Sequence, residues 1–219
     1  MTNNNPQPED EGEWTTLGEL IDETDKPRDK PTGNIITPDA FEKARYALGK
    51  KPEPVIPKPS SSEDLVRQYE FFRNKIYEPR RVFYPCSHLD ISPIRGFPNS
   101  EVVIMDKESG FGKVMQEHGI HQFTEGDVLA YNPEKKFDLV IALNPCLSSR
   151  DLTRNLEIGG YTLANNWHNN ATQLLEDESF EGIGTIVRAK SGIFLAERDF
   201  SRLEPAQFAT YFYVFRRTK

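Results

Sequence analysis

From Ser61 onward the chain switches between two hydrophobic rhythms. SSEDLVRQYEFFRNKIYEP (61–79) sets Leu65, Tyr69, Phe72 and Ile76 three or four positions apart, the spacing that lines one face of a helix. Ser61 or Ser62 ahead of acidic residues is an N-capping signature, and Pro79 ends the element. Short apolar runs then read as strands: RVFYP (81–85), SEVVIMD (100–106), HQFTEGD (121–127), FDLVIALNP (137–145) and YTLANN (161–166). The second and fourth are almost continuously apolar, as in strands covered on both faces. GKVMQEHG (112–119), SSRDLTRNLEIGG (148–160) and NATQLLED (170–177) predict helices between them, the middle one ended by its glycines. FEGIGTIVRAK and SGIFLAERD (180–199) predict strands or a hairpin, and QFATYFYVFRR (207–217) a last strand. Strands alternating with helices predict an α/β fold with a mostly parallel sheet, and the closing segments predict one antiparallel member.

The first sixty residues follow neither rhythm. They hold nine of the sixteen prolines, and they offer too little apolar surface to offset the entropy of ordering a chain. Residues 1–61 are therefore expected to be a disordered, acidic and proline-rich arm and linker, and 62–219 the folded domain. Two islands, EWTTLGELIDE (13–23) and TPDAFEKARYALG (37–49), predict short helices; the second has Thr37 as N-cap, Pro38 at the first helical position and Gly49 as its stop. Either island can serve as a segment that recruits a protein partner, or lie against its own domain.

Composition narrows the function classes. No apolar run approaches the roughly 18 residues that span a bilayer, so no membrane role is expected. The N-terminus lacks the basic and apolar regions of a secretory signal, and two cysteines make no disulfide framework. The cytoplasm is the expected compartment. A net charge of −7 argues against a broad nucleic-acid surface.

With the landmarks in this order, the chain over 62–219 resembles the class I, Rossmann-like S-adenosylmethionine-dependent methyltransferases. The carrying stretches are VFYPCSHLD (82–90), VVIMD ending at Asp106, EGD ending at Asp127, and FDLVIALNPC (137–146). YPCSHLDISP is also similar to a YPGSGxDxSP loop of some relatives. The resemblance implies a three-layer sandwich around a mostly parallel seven-stranded sheet with an antiparallel C-terminal strand. It implies S-adenosylmethionine as a small-molecule cofactor and an acceptor that the sequence does not name.

The resemblance also assigns positions. The loop after the first strand would pass the cofactor with Tyr84 in the acidic place and with Cys86, His88 and Asp90 in three glycine places; Ser87 lies between them. Asp106 would accept hydrogen bonds from the ribose hydroxyls, and Asp127 would read the adenine amino group. Asn144, in Asn-Pro-Cys, would contact both cofactor and acceptor, and His168 would contact the acceptor. The departure from the family pattern is that all three glycines are replaced. A Cβ at those positions takes space near the ligand and penalises positive φ. The alternative implied by that departure is a catalytically inactive methyltransferase-like binding or scaffold module whose N-terminal arm recruits a partner.

Residue chemistry leaves further readings open. Cys86 and His88 follow the first strand, Cys146 the fourth, and Trp167-His168 the fifth, so they converge on one cleft if those strands are neighbours. Thiolates and imidazoles can bind zinc, but Cys-x-His is not a zinc spacing, and no metal is expected. The thiols are either reactive or simply small buried groups. His118 and His121, flanking Gly119, read as residues of a helix C-terminus, where the dipole favours them.

Overall fold

The computed structural model describes residues 58–143, 145, 147–189, 192–196, 200 and 211–219. The two islands within 13–49, Asn144 and Cys146 lie outside the described residues, as does the start of the 207–217 stretch.

The first element, α1 (Glu63–Lys75), begins where the capping signature places it. Ser62 adopts an extended conformation and its Oγ accepts the Leu65 N–H at 3.4 Å. Glu63 and Asp64 occupy the first turn and Arg73 and Lys75 the last, the polarity that complements the helix dipole. Val66, Tyr69 and Phe72 are buried, with Leu65 and Ile76 packed at the margin.

After α1 come β1 (Arg81–Pro85), a short α2 (Ser92–Gly96), β2 (Glu101–Asp106), α3 (Phe111–Glu117), β3 (Phe123–Glu125), β4 (Phe137–Ala142), α4 (Ser149–Thr153), β5 (Leu156–Ala164), α5 (Asn170–Glu176), β6 (Phe180–Ala189), β7 (Gly192–Ala196) and β8 (Tyr211–Arg217). The sheet order is β3-β2-β1-β4-β5-β8-β6-β7. β1 to β5 pair in parallel. β8 inserts antiparallel between β5 and β6. This is the expected Rossmann-like, methyltransferase-type α/β sheet. It carries eight strands rather than seven, because β6 and β7 form a hairpin and both stay in the sheet, with β7 at the edge.

Strand alternation sorts side chains onto two faces. On one face Val82, Tyr84, Ile104, Leu139, Ile141 and Val214 pack with Tyr69 and Phe72 of α1 and with Phe97. Tyr69 stacks on Phe212 at 5.5 Å and also meets Phe97 at 5.3 Å. On the opposite face Phe83, Met105, Phe137 and Val140 form a second layer. Leu152 of α4 and Ala171 and Leu174 of α5 cover the β5–β8 side of that face. Each fully buried aromatic or aliphatic side chain contributes about 1.5–3 kcal/mol.

One element differs from the sequence reading. Residues 148–160 are not one helix: α4 stops at Thr153 and β5 has begun by Leu156. Gly159 and Gly160 form an irregularity in the strand instead of a helix stop. Phe137 pairs with Leu156, and two residues later Leu139 pairs with Tyr161. Gly159 holds φ 86°, and a Cβ on Gly160 would sit 3.0 Å from the Asp138 carbonyl oxygen. Glycine is required there by backbone proximity across strands, a long-range contact that a local pattern does not register. The short α2 was also absent from the sequence reading; Pro93 sits in its first turn. Among the described residues no helix is long and apolar enough to cross a membrane.

Asp138, buried within β4, holds the turn that launches β1. Its carboxylate accepts the backbone N–H groups of Arg80 (2.9 Å) and Arg81 (2.8 Å) and the Tyr77 hydroxyl (3.3 Å). Removing it leaves two backbone donors without their acceptor. Asp138→Ala should lower unfolding stability by about 2–4 kcal/mol in urea titrations; a loss below about 1 kcal/mol would contradict this role.

Candidate functional site

In an open α/β sheet, ligands bind beyond the carboxyl ends of the parallel strands. There the chain leaves β1 through Cys86-Ser87-His88-Leu89-Asp90. Cys86 has φ 55° and His88 φ 53°. These are two of the positions where the resemblance places glycine, and both keep the left-handed backbone that glycine adopts freely. For a residue with a Cβ that conformation costs about 1–2 kcal/mol, so surrounding contacts must fix it.

Those contacts come from two sides. Toward β2, the Ser87 N–H donates to the Met105 carbonyl at 3.2 Å and the His88 N–H to Asp106 Oδ2 at 2.8 Å. The His88 ring, itself exposed, meets the Phe111 ring edge-on at 4.8 Å. Toward the α1 face, Asp90 organises the exit of the loop. Its Oδ2 accepts the buried Tyr84 hydroxyl at 3.2 Å, and its Oδ1 accepts the Ser92 N–H at 2.9 Å and the Ser92 hydroxyl. Ser92 Oγ in turn accepts the Ser62 N–H at 2.9 Å, and Ser60 exchanges backbone hydrogen bonds with Leu89 and Ile91. The approach to α1 is thereby laced to the loop.

Asp106 ends β2 as its place in the sequence suggests. Its Oδ2 holds the His88 amide and its Oδ1 the Glu108 amide at 3.0 Å. A carboxylate offers about four acceptor sites, so each oxygen retains one for an outside donor such as a hydroxyl. Asp127 is exposed just beyond β3; its Oδ1 accepts the Leu129 N–H at 2.9 Å. The strand ends are joined by the Gly126 N–H, which donates to the Asp106 carbonyl at 2.8 Å. Tyr84, Cys86, Ser87, His88 and Asp106 thus form one cluster, with Asp127 at its border.

Tyr84 differs from an acidic residue in that place: its hydroxyl lies beneath the loop on Asp90, and burial raises its pKa well above the ordinary value. Cys86 is half-buried against the layer that holds Phe83 and Met105. His168 lies beyond β5, with β4 between β5 and β1. It is exposed, and its ring is 6.2 Å from that of Trp167. Asn144 is outside the described residues. Among those described, no group of three or more His, Cys, Asp or Glu side chains is placed to hold a metal ion. His118 caps the end of α3, where its Nδ1 lies 2.9 Å from the Val114 carbonyl oxygen.

Two organising residues escaped the sequence reading. Glu125, paired in register with Asp106, caps α3: its Oε2 accepts the Gly110 N–H at 3.2 Å and the Gly112 N–H at 2.9 Å. Nothing local marks a cap that reaches across fifteen residues. Asp90, expected only as a glycine-place residue of the cofactor loop, instead closes an Asp-Ile-Ser turn in which its carboxylate accepts from the backbone two residues on. Beyond β5 the buried Asn166 does comparable work, its Oδ1 accepting the Thr172 N–H at 3.0 Å and hydroxyl at 3.1 Å.

Comparison with protein-family models found no match, and comparison with curated proteins found none either. Among solved structures, the chain is similar to the N-methyltransferase NodS from Bradyrhizobium japonicum WM9 in complex with S-adenosyl-L-homocysteine: 14% identity, 92% of this chain and 98% of that one, TM-score 0.47. It is similar to an O-methyltransferase from Bacillus cereus, also in complex with S-adenosylhomocysteine, at 9% identity over 93% and 98% of the two chains, TM-score 0.49. The O-methyltransferase TomG from Streptomyces achromogenes, in complex with S-adenosylmethionine, gives 11% identity over 81% and 87%, TM-score 0.47. At such identities and TM-scores these comparisons assign no residue a role.

The loop yields two predictions. Burial raises the Asp90 carboxyl above its ordinary 3.8. The folded chain then holds this proton more tightly than the unfolded chain. The stabilisation is complete below the ordinary pKa and is lost as pH rises through the raised one. The stability of the wild type relative to Asp90→Asn should therefore fall from about pH 4 upward in urea titrations; a difference independent of pH would contradict it. At His88, relief of left-handed strain outweighs or balances the entropy that glycine adds to the unfolded chain. His88→Gly should be neutral or stabilising by up to about 1 kcal/mol, and the β-branched His88→Val destabilising by about 1–2 kcal/mol. Equal effects of the two would show that the loop relaxes out of this conformation.

Proposed function

We propose that this chain binds S-adenosylmethionine across the carboxyl ends of β1, β2 and β3 and transfers its methyl group to an acceptor docked toward β4 and β5. The observation that carries this reading is the left-handed backbone at Cys86 and His88 beside Asp106. The chain has lost the glycines but keeps the loop path that glycines would give. A carboxylate with acceptor capacity in reserve stands at the adjoining strand end.

In this reading Asp106 accepts the two ribose hydroxyls while still holding the His88 and Glu108 amides. Asp127 lies at the adenine end, and Asn144 and His168 contact the acceptor. The bound cofactor supplies an electrophilic methyl group. The chain contributes position and exclusion of water, with no covalent protein intermediate.

A second reading has its own support. The exposed His88 side chain occupies loop surface that glycine would leave open, its ring resting on Phe111, and Cys86 fills space against the Phe83 layer. That arrangement favours a methyltransferase-like module that no longer turns over, with residues 1–61 recruiting a protein partner.

Calorimetric titration with S-adenosylhomocysteine separates the two. Under the first reading, binding is micromolar, and Asp106→Ala weakens it by about tenfold or more with an unchanged circular dichroism spectrum. No heat at millimolar ligand would overturn the first reading in favour of the second.

A further inference from the structure

A second concave region lies at the other end of the sheet. Thr153 and Arg154 precede β5, Ser179 and Phe180 open β6, and Arg217 ends β8, where it pairs with Phe180. β8 runs antiparallel to both neighbours, so these residues meet at the amino-terminal edge of the parallel strands, opposite the Cys86–Asp106 cluster. They line a cavity of about 450 Å³ together with Arg150 and Asp177. That volume is within the usual range for a small-ligand site.

Its chemistry is one-sided. Three arginines, Arg150, Arg154 and Arg217, line it with a single carboxylate, that of Asp177. Two of the arginines are anchored by backbone carbonyls. Arg154 Nη2 donates to Val128 at 2.9 Å and Tyr131 at 2.6 Å, and Arg217 Nη1 to Leu156 at 2.6 Å. Arg217 Nε donates to a main-chain oxygen of Lys219, the last residue described, at 2.7 Å. Carbonyl anchoring fixes Arg154 without neutralising it. Among the described residues, Arg154 Nε and Nη1, Arg217 Nη2 and the whole Arg150 guanidinium donate to no acceptor. Asp177 is held by the Ser179 N–H at 2.8 Å, and the nearby Glu178 is paired with Lys219 at 3.6 Å.

We propose that this cavity is a binding site for a phosphate dianion, either free or as the phosphomonoester group of a small molecule. Donors from three separate side chains suit a tetrahedral oxyanion better than a planar carboxylate, which a single arginine fork satisfies. Three arginines against one carboxylate in the lining favour a dianion over a monoanion. The Ser179 hydroxyl adds a neutral donor, and the half-buried Phe180 ring gives an apolar wall for an organic substituent.

Arg150 is the residue that tests the site. It holds no hydrogen bond within the described fold and sits on the exposed side of α4, so Arg150→Ala leaves the fold intact. The full-length chain would be titrated calorimetrically with inorganic phosphate and with phenyl phosphate, ionic strength being held constant with sodium chloride. Saturable binding in the millimolar range or tighter is expected, weakened about tenfold in Arg150→Ala while the thermal midpoint without phosphate stays that of the wild type. Tighter binding of phenyl phosphate assigns the site to a phosphomonoester, and equal binding assigns it to free phosphate. No saturable binding of either, or binding that Arg150→Ala leaves unchanged, would overturn the proposal. The site is independent of the methyl-transfer reading and stands or falls without it.

Discussion

The short hydrogen bond from the His88 amide to Asp106 joins the two strand ends on which the upper edge of the sheet depends. A parallel sheet leaves its loops to cross from strand to helix with few backbone partners, and at this crossing the chain also adopts a conformation that disfavours side chains. Asp106 supplies the missing acceptor from β2, and the Met105 carbonyl supplies another. Asp90 fixes the far side of the loop through Tyr84 and Ser92. Between these anchors the Cys86 and His88 backbones are held at two unfavourable φ values.

That arrangement explains how a loop without glycine can hold a left-handed course. A glycine adopts a left-handed turn unaided, whereas a cysteine or histidine must be held there by its neighbours. The neighbours here are a carboxylate on the adjoining strand and a buried carboxyl beneath the loop. Both are engaged by groups of the chain itself, so the loop's path needs no ligand to hold it. Above the loop stands the exposed His88 imidazole, while the Cys86 side chain turns against the Phe83 and Met105 layer.

The two ends of the sheet are chemically distinct. The carboxyl end carries Asp90, Asp106, Asp127 and Glu125, most of them committed to capping backbone amides. The amino end gathers Arg150, Arg154 and Arg217, two of them fixed by backbone carbonyls. Each end uses side chains to satisfy the backbone groups that a parallel sheet leaves open. Each retains surplus hydrogen-bonding capacity of one sign, acceptors at one edge and donors at the other.

Much of this was legible in the sequence. The period of Leu65, Tyr69 and Phe72 set α1, the apolar runs set β1, β2 and β4 to within a few residues, and the α/β alternation set the sheet class. These are local signals, written in residues that report their own burial. Asp106 and the loop after β1 were legible as positions because they follow strands directly. Tertiary structure decided the rest, because the deciding contacts are distant in the chain. Gly160 is a strand residue on account of the Asp138 carbonyl. Glu125 is a cap on account of Gly110 and Gly112. Arg217 meets Arg150 and Arg154 only because β8 folds back between β5 and β6. The left-handed turn at Cys86 and His88 belongs to the same group: their residue types argue against it, and only contacts from β2 and from beneath the loop impose it.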